Sequence, residues 1–258
     1  MGTRRSLWLL PLCLLLMGQD YNVPFRPRAG GAAPTAPVLA SGPTVCGTPG
    51  NADVDCTFTA TAGSNRVLLV AISAESSSDV NCDAAQFTVT YGSCTLTEAA
   101  HARTDGGAIE NCSRIMYCPE ASIPAGSNIL TVDFVSSTTL SVYYAVLTGV
   151  NQADIIDLTA VDEGDTNGED PFTFTPGTLA AGTFQWITAT LNDSPGYSTS
   201  TIAGPYTEQL DVDHVTCCSF VRYDASGTAS GASQTVSIDQ ATAYTSRLAG
   251  ALVSFNGI

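Results

Sequence analysis

From residue 54 onward the chain repeats one pattern: short runs of alternating apolar and polar side chains, separated by Gly, Pro, Asn and Ser. Val54–Thr61 alternates, and Gln86–Tyr91 sets Phe87 and Val89 on one side. Leu140–Thr148 puts Leu140, Val142, Tyr144 and Val146 on one face, and Thr183–Leu191 opposes Phe184 and Trp186 to Ile187 and Leu191. Side chains alternate across a strand, so each run reads as a strand with one covered face. Arg66–Ala74 (RVLLVAISA) is apolar throughout, which is the pattern of a strand covered on both faces. Cys94–Ala99, Cys112–Cys118, Ile129–Val135, Thr216–Tyr223, Gln234–Ile238 and Arg247–Phe255 bring the total to roughly a dozen strands. No amphipathic helix is visible; Gln152–Ile156 is at most one turn. The expected fold is all-β, a jelly-roll-like antiparallel β-sandwich over residues 46–258. No internal repeat is evident in the sequence.

The N-terminal region breaks the pattern. Arg4 and Arg5 precede an apolar run, Leu7–Met17, that suits a secretory signal over residues 1–18 and is short for a bilayer span. Residues 19–45 carry Pro24, Pro27, Pro34, Pro37 and Pro43 among Ala and Gly, the composition of a flexible arm. No later stretch is long and apolar enough to cross a membrane as a helix.

Charge narrows the partners. The chain has no lysine, and after residue 30 five arginines stand against 23 acidic side chains. Such a surface repels nucleic acid and anionic lipid. The missing lysine also excludes a lysine–asparagine isopeptide staple.

Cysteine adds covalent constraint. Without Cys13 of the apolar run, eight remain: Cys46, Cys56, Cys82, Cys94, Cys112, Cys118, Cys217 and Cys218. An even number in an exported chain reads as disulfides. Cys46 and Cys56 flank the turn-rich Gly47–Asn51 and are the expected pair. Cys112 and Cys118 sit on one strand, ~20 Å apart, too far to bond to each other. Adjacent Cys217 and Cys218 should take separate partners.

Candidate chemistry is sparse. In the acidic loop 162–170, Glu163, Asp165 and Asn167 precede Gly168 as oxygen donors do in a calcium loop, with Asp170 nearby. The bidentate glutamate such a loop ends on is replaced by Phe174, so Ca²⁺ has half a motif here. Tyr197, Tyr206 and Tyr223 lie near turn signals and are candidates for a sugar-binding platform. Asp211 and Asp213, beside His214, are one acid pair among many that could serve glycoside hydrolysis or simply sit exposed on an edge. The His214–Cys218 stretch lacks the cysteine spacing of a zinc site. Asn111-Cys112-Ser113 and Asn192-Asp193-Ser194 are glycosylation sequons.

A succession of weak motifs resembles a family of jelly-roll modules from bacterial secreted and cell-surface proteins and phage fibres. They are Gly63-Ser64-Asn65-Arg66-Val67-Leu68-Leu69-Val70, Val89-Thr90-Tyr91-Gly92 with Leu96-Thr97, Ile115-Met116-Tyr117, Pro124-Ala125-Gly126, Leu147-Thr148-Gly149-Val150-Asn151-Gln152, Gly196-Tyr197 and Ala249–Phe255. The resemblance spans about residues 57–256 and implies a lectin-like sandwich with an extracellular role in attachment, and no catalytic site; the many cysteines depart from it. The expected function is non-enzymatic: adhesion, glycan binding or surface assembly by a secreted or cell-surface protein. Its partners would be glycans, other surface proteins or copies of itself. A secreted glycan-active hydrolase and a polymerising filament subunit are the alternatives.

Overall fold

The computed structural model describes residues 34–46, 53–76, 86–104, 110–135, 139–164, 172–174, 178–192, 201–202, 206–214, 220–228, 236–239 and 248–258. Nine strands form the N-terminal half: β1 (Val38–Cys46), β2 (Asp53–Thr59), β3 (Val67–Ser76), β4 (Phe87–Tyr91), β5 (Cys94–Thr95), β6 (Thr97–Arg103), β7 (Glu110–Pro119), β8 (Ser127–Phe134) and β9 (Thr139–Thr148). Eight form the C-terminal half: β10 (Ile156–Gly164), β11 (Phe172–Phe174), β12 (Thr183–Asn192), β13 (Thr201–Ile202), β14 (Tyr206–His214), β15 (Phe220–Thr228), β16 (Val236–Asp239) and β17 (Leu248–Asn256). The described pairings are antiparallel, and no α-helix occurs among the described residues. The all-β reading holds.

The strands make four sheets. Sheet A runs β1-β9-β3-β7-β6 and sheet B runs β2-β8-β4-β5; sheet A′ runs β10-β17-β12-β15-β14 and sheet B′ runs β11-β16-β13. One face of sheet A packs on sheet B, where Leu68, Val70 and Ile72 meet Phe87, Val89, Leu130 and Val132. The other face packs on sheet A′, where Val67, Leu69 and Ala71 meet Phe184, Trp186, Val253 and Phe255. Sheet A is therefore an inner layer, which is why β3 reads as an unbroken apolar run. Residues from Val67 to Ala71 are 0 % exposed on either side of the strand. Each fully buried Val or Leu there contributes about 1.5–3 kcal/mol relative to exposure.

Strand β1 departs from the flexible arm expected over residues 19–45. Val38–Cys46 pairs with β9 as an edge strand, with register irregularities between Leu39 and Ser41 and between Ser41 and Thr44. Pro43 falls in the second irregularity, and an edge position tolerates its missing N–H. Composition misleads here because proline excludes a central strand and permits an outer one.

The second half repeats the first. Strand for strand, β10, β17, β12, β15 and β14 occupy in sheet A′ the places of β1, β9, β3, β7 and β6 in sheet A, and β11, β16 and β13 those of β2, β8 and β4. Register repeats as well. Val67 faces Leu147 and Pro119, and Phe184 faces Phe255 and Thr228. The irregularity between Leu39 and Ser41 recurs between Ile156 and Leu158; that between Glu98 and Ala100 recurs between Glu208 and Leu210. Two residues before Val67 and before Phe184 the backbone is left-handed, at Asn65 (φ 56°) and Gly182 (φ 79°). Matched bulges and turns fix a backbone more tightly than strand count does. The architecture is an all-β, sandwich-like stack of two units with matching strand order, packed sheet A to sheet A′.

Ala33–Ile258 forms one compact unit. Ahead of β1, the chain straps across the C-terminal half, and the Thr35 N–H donates to the Ile258 carbonyl (2.7 Å). Gly182 and Gly257 lie beneath this strap: a Cβ on Gly182 would overlap the Pro34 carbonyl oxygen, and one on Gly257 that of Thr35.

Candidate functional site

The two ends of the stack are built differently. At one end the segments between strands are tied together. The Asn65 N–H donates to Glu120 Oε2 (2.6 Å) and Arg66 Nε to Glu120 Oε1 (3.1 Å). The Glu120 N–H donates to Gln152 Oε1 (3.0 Å), whose Nε2 returns to the Arg66 carbonyl (3.1 Å). Partial burial pushes the Glu120 carboxyl up, but hydrogen bonds from the Arg66 side chain and the Asn65 and Arg66 backbone outweigh it and leave its pKa lowered. The Val150 N–H donates to the Asn65 carbonyl within the N-terminal half, and the Asn151 N–H donates to the Asn256 carbonyl across the halves, both at 2.9 Å. Two of the motifs behind the family resemblance, Gly63–Val70 and Leu147–Gln152, meet in this clamp. Its role is structural.

At the opposite end Ser113 Oγ donates to the Ala249 carbonyl (2.8 Å) and lies 2.7 Å from Thr190 Oγ1. Those contacts set the start of β7, the end of β12 and the start of β17 side by side. Cross-strand pairing brings the ends of β1, β3, β6, β10 and β14 and the starts of β9 and β15 to the same level. Strands of both halves therefore finish at this end, and Glu163, Asp211, Asp213 and His214 lie toward it. Glu163 is the penultimate residue of β10, paired with Ala249; Asp165, Asn167 and Asp170 follow outside the described residues. Asp211 pairs with Tyr223, Asp213 with Val221 and His214 with Phe220 near the end of β14. Tyr197, Cys82, Cys217 and Cys218 lie outside the described residues.

Tyr206 stands apart, at the start of β14 and the other end of the sheet. It is 7 % exposed, a wall residue where an exposed platform was expected, and burial pushes its hydroxyl up to about 12. Asn111, of the first sequon, is 0 % exposed, so folding shuts that sequon away from a glycosylating enzyme.

One ionic cluster escapes sequence reading. Arg114, 1 % exposed, bonds through Nη1 to Glu98 Oε2, and its guanidinium sits 4.5 Å above the Phe87 ring. His101 Nδ1 lies 2.6 Å from the other Glu98 oxygen. Carboxylate, guanidinium and aromatic face come from β6, β7 and β4, so no local spacing could have grouped them. Cys46–Cys56 is formed as expected, and Cys94–Cys118 is a second disulfide with Cα atoms 6.6 Å apart. Cys112 is also disulfide-bonded, to a cysteine outside the described residues. Disulfides belong to an oxidising compartment.

No family model, curated protein or solved structure matches this chain. Among the described residues no three His, Cys, Asp or Glu side chains gather as metal ligands. Glu98, with both oxygens engaged, acts as a structural anion. No helix among the described residues is long and apolar enough to cross a membrane. What the arrangement offers is a base of packed sheets in which strands of two topologically matching halves finish at one end.

Proposed function

We propose that the protein is a secreted or cell-surface attachment module of non-enzymatic character, binding glycans or surface proteins through the end where β1, β3, β6, β10, β12 and β14 finish. The carrying observation is that strands of both halves finish at that end, while at the opposite end the segments of the N-terminal half are tied together by the Glu120–Gln152 clamp. A sandwich that presents loops at one end of a stiff scaffold is a general solution to binding, because the loops vary while the sheets hold them. Disulfides within the N-terminal half and the acidic surface suit an extracellular setting. The resemblance to lectin-like jelly-roll modules points the same way, and Ca²⁺ held by Glu163, Asp165, Asn167 and Asp170 would belong to the same end.

A glycan array probed with the secreted protein, with and without a calcium chelator, tests the reading. Binding to a defined glycan set that is lost when the 163–170 loop is replaced by Gly and Ser supports it. Binding indifferent to that loop and to the β12–β13 connection, or glycoside turnover by the purified protein, would overturn it.

A further inference from the structure

The described disulfides run in one direction. Cys46 on β1 of sheet A bonds to Cys56 on β2 of sheet B, and Cys118 on β7 of sheet A bonds to Cys94 on β5 of sheet B. Cys112 stands on β7 six residues before Cys118, so alternation puts both side chains on one face of the strand. It is 1 % exposed and belongs to the apolar core between sheets A and B. Ser113, its neighbour, points the other way and bonds to Thr190 and the Ala249 carbonyl of sheet A′. The Cys112 sulfur therefore faces sheet B, and the backbone of sheet A stands between it and sheet A′.

Cys112 is disulfide-bonded to a cysteine outside the described residues. After residue 18 three cysteines qualify: Cys82, Cys217 and Cys218. Chain reach separates them. Cys217 and Cys218 belong to the connection between β14 and β15 of sheet A′, three residues after His214 and two before Phe220. Three residues extend about 10 Å at most, and packed sheets are about 10 Å apart. That reach is consumed in crossing from sheet A′ to sheet A. It leaves nothing to pass round to the far face, because Cys112 is flanked in sheet A by Ala74 on β3 and Arg103 on β6. Cys82 belongs to the connection between β3 and β4, which leaves sheet A at Ser76 and enters sheet B at Phe87. Ala74 pairs with Cys112 and Ser76 with Glu110, so this connection starts one pleat beyond Cys112 on the adjacent strand. It arrives beside the same face, for the Arg114 guanidinium, next along that face of β7, sits 4.5 Å above the Phe87 ring. Cys82 is six residues from Ser76 and five from Phe87. Either arm spans the gap of about 10 Å between the sheets.

We propose that Cys112 is bonded to Cys82, a third covalent tie between sheets A and B that fastens the β3–β4 connection over the sandwich. Its formation oxidises two thiols: each sulfur loses its proton, and the electron pair passes to a disulfide oxidant of the export compartment, which leaves as a dithiol. All three bonds then lie within the N-terminal half. Of the eight cysteines, Cys217 and Cys218 are the two left, in place of the separate partners expected for them. The cross-links are thus confined to one half, and the halves are held to each other by packing and hydrogen bonds.

Peptide mapping of the secreted wild-type chain tests this without any variant. Thiols are blocked with N-ethylmaleimide at mildly acidic pH, where thiolate exchange is slow, and the chain is cut with trypsin and chymotrypsin without reductant. Cleavage at Phe87 or Tyr91 separates Cys82 from Cys94, and cleavage at Arg114 or Tyr117 separates Cys112 from Cys118. The expected result is a Cys112 peptide joined to a Cys82 peptide, with the peptide carrying Cys217 and Cys218 joined to neither. Cys112 joined to Cys217, Cys218 or any other cysteine, or carrying maleimide, overturns the proposal. The result is independent of glycan binding, which the array reads separately.

Discussion

The strap over Gly182 gives a stability prediction that can be worked from geometry. Gly182 holds φ 79°, and a Cβ there would overlap the Pro34 carbonyl oxygen and stand 3.1 Å from the Pro34 Cβ. Gly182→Ala therefore meets two costs. An alanine held left-handed costs about 1–2 kcal/mol. Relieving the overlap moves the strap and weakens the Thr35–Ile258 hydrogen bond, worth about 1 kcal/mol net. The sum is about 2–3 kcal/mol. Gly126 is the internal control, because it has φ 78° with nothing within 4 Å of a built Cβ. Gly126→Ala should cost only the left-handed part, about 1–2 kcal/mol. Equilibrium urea unfolding of both variants, repeated in a chain lacking residues 34–36, completes a double-mutant cycle. Without the strap, Gly182→Ala should cost no more than Gly126→Ala. Equal costs in the intact chain would show that the strap does not bear on Gly182, and the reasoning fails.

Further predictions concern the covalent and ionic ties. On the chain-entropy account, removing Cys94–Cys118 (sequence separation 24) should cost about 3–4 kcal/mol and removing Cys46–Cys56 (separation 10) about 3 kcal/mol, measured by denaturant midpoints of the paired serine variants. Non-reducing peptide mapping should return those two bonds and a third at Cys112 reaching Cys82; a Cys112–Cys118 peptide would contradict the strand geometry. The Glu120 pKa is lowered by folding, so its contribution is present above the ordinary carboxylate range and is lost as pH falls through the folded value. Glu120→Gln should flatten the acid limb of a stability–pH curve, and an unchanged limb would mean the clamp carries no net charge effect.

Much of the fold could be read locally. The unbroken apolar run located β3, the period-two runs located β4, β9 and β12, and the turn between Cys46 and Cys56 gave their disulfide, because each signal lies within a few residues. Phe184 and Trp186 were correctly set opposite Ile187 for the same reason. The duplication was hidden, since what repeats is register. Its traces in sequence are as slight as Thr97-Glu98 against Thr207-Glu208 and Leu147-Thr148-Gly149-Val150 against Phe255-Asn256-Gly257-Ile258, which acquire meaning once the bulges at Glu98 and Glu208 are aligned. Strand β1 was concealed by proline content, whose effect depends on whether a strand is inner or outer. Arg114 was concealed because its neutralising partner and its aromatic floor come from two other strands. Strand pairing places Glu163, Asp211 and Asp213 toward one end and Tyr206 at the other, while Asp165, Asn167, Asp170 and Tyr197 lie outside the described residues.

The antiparallel pairing of β1 with β9 has a mechanical consequence. Pro34 and the beginning of β1 lie at the clamped end, and Val38 to Cys46 run from there toward the loop end. A pull exerted by something gripped at the loops, and resisted through the chain before Pro34, is directed along the strands. The β1–β9 hydrogen bonds would then be loaded in shear and have to yield together; peeling from one end would take them one at a time. A tether attached at the clamped end is thus placed where tension meets the sheet in its more resistant direction.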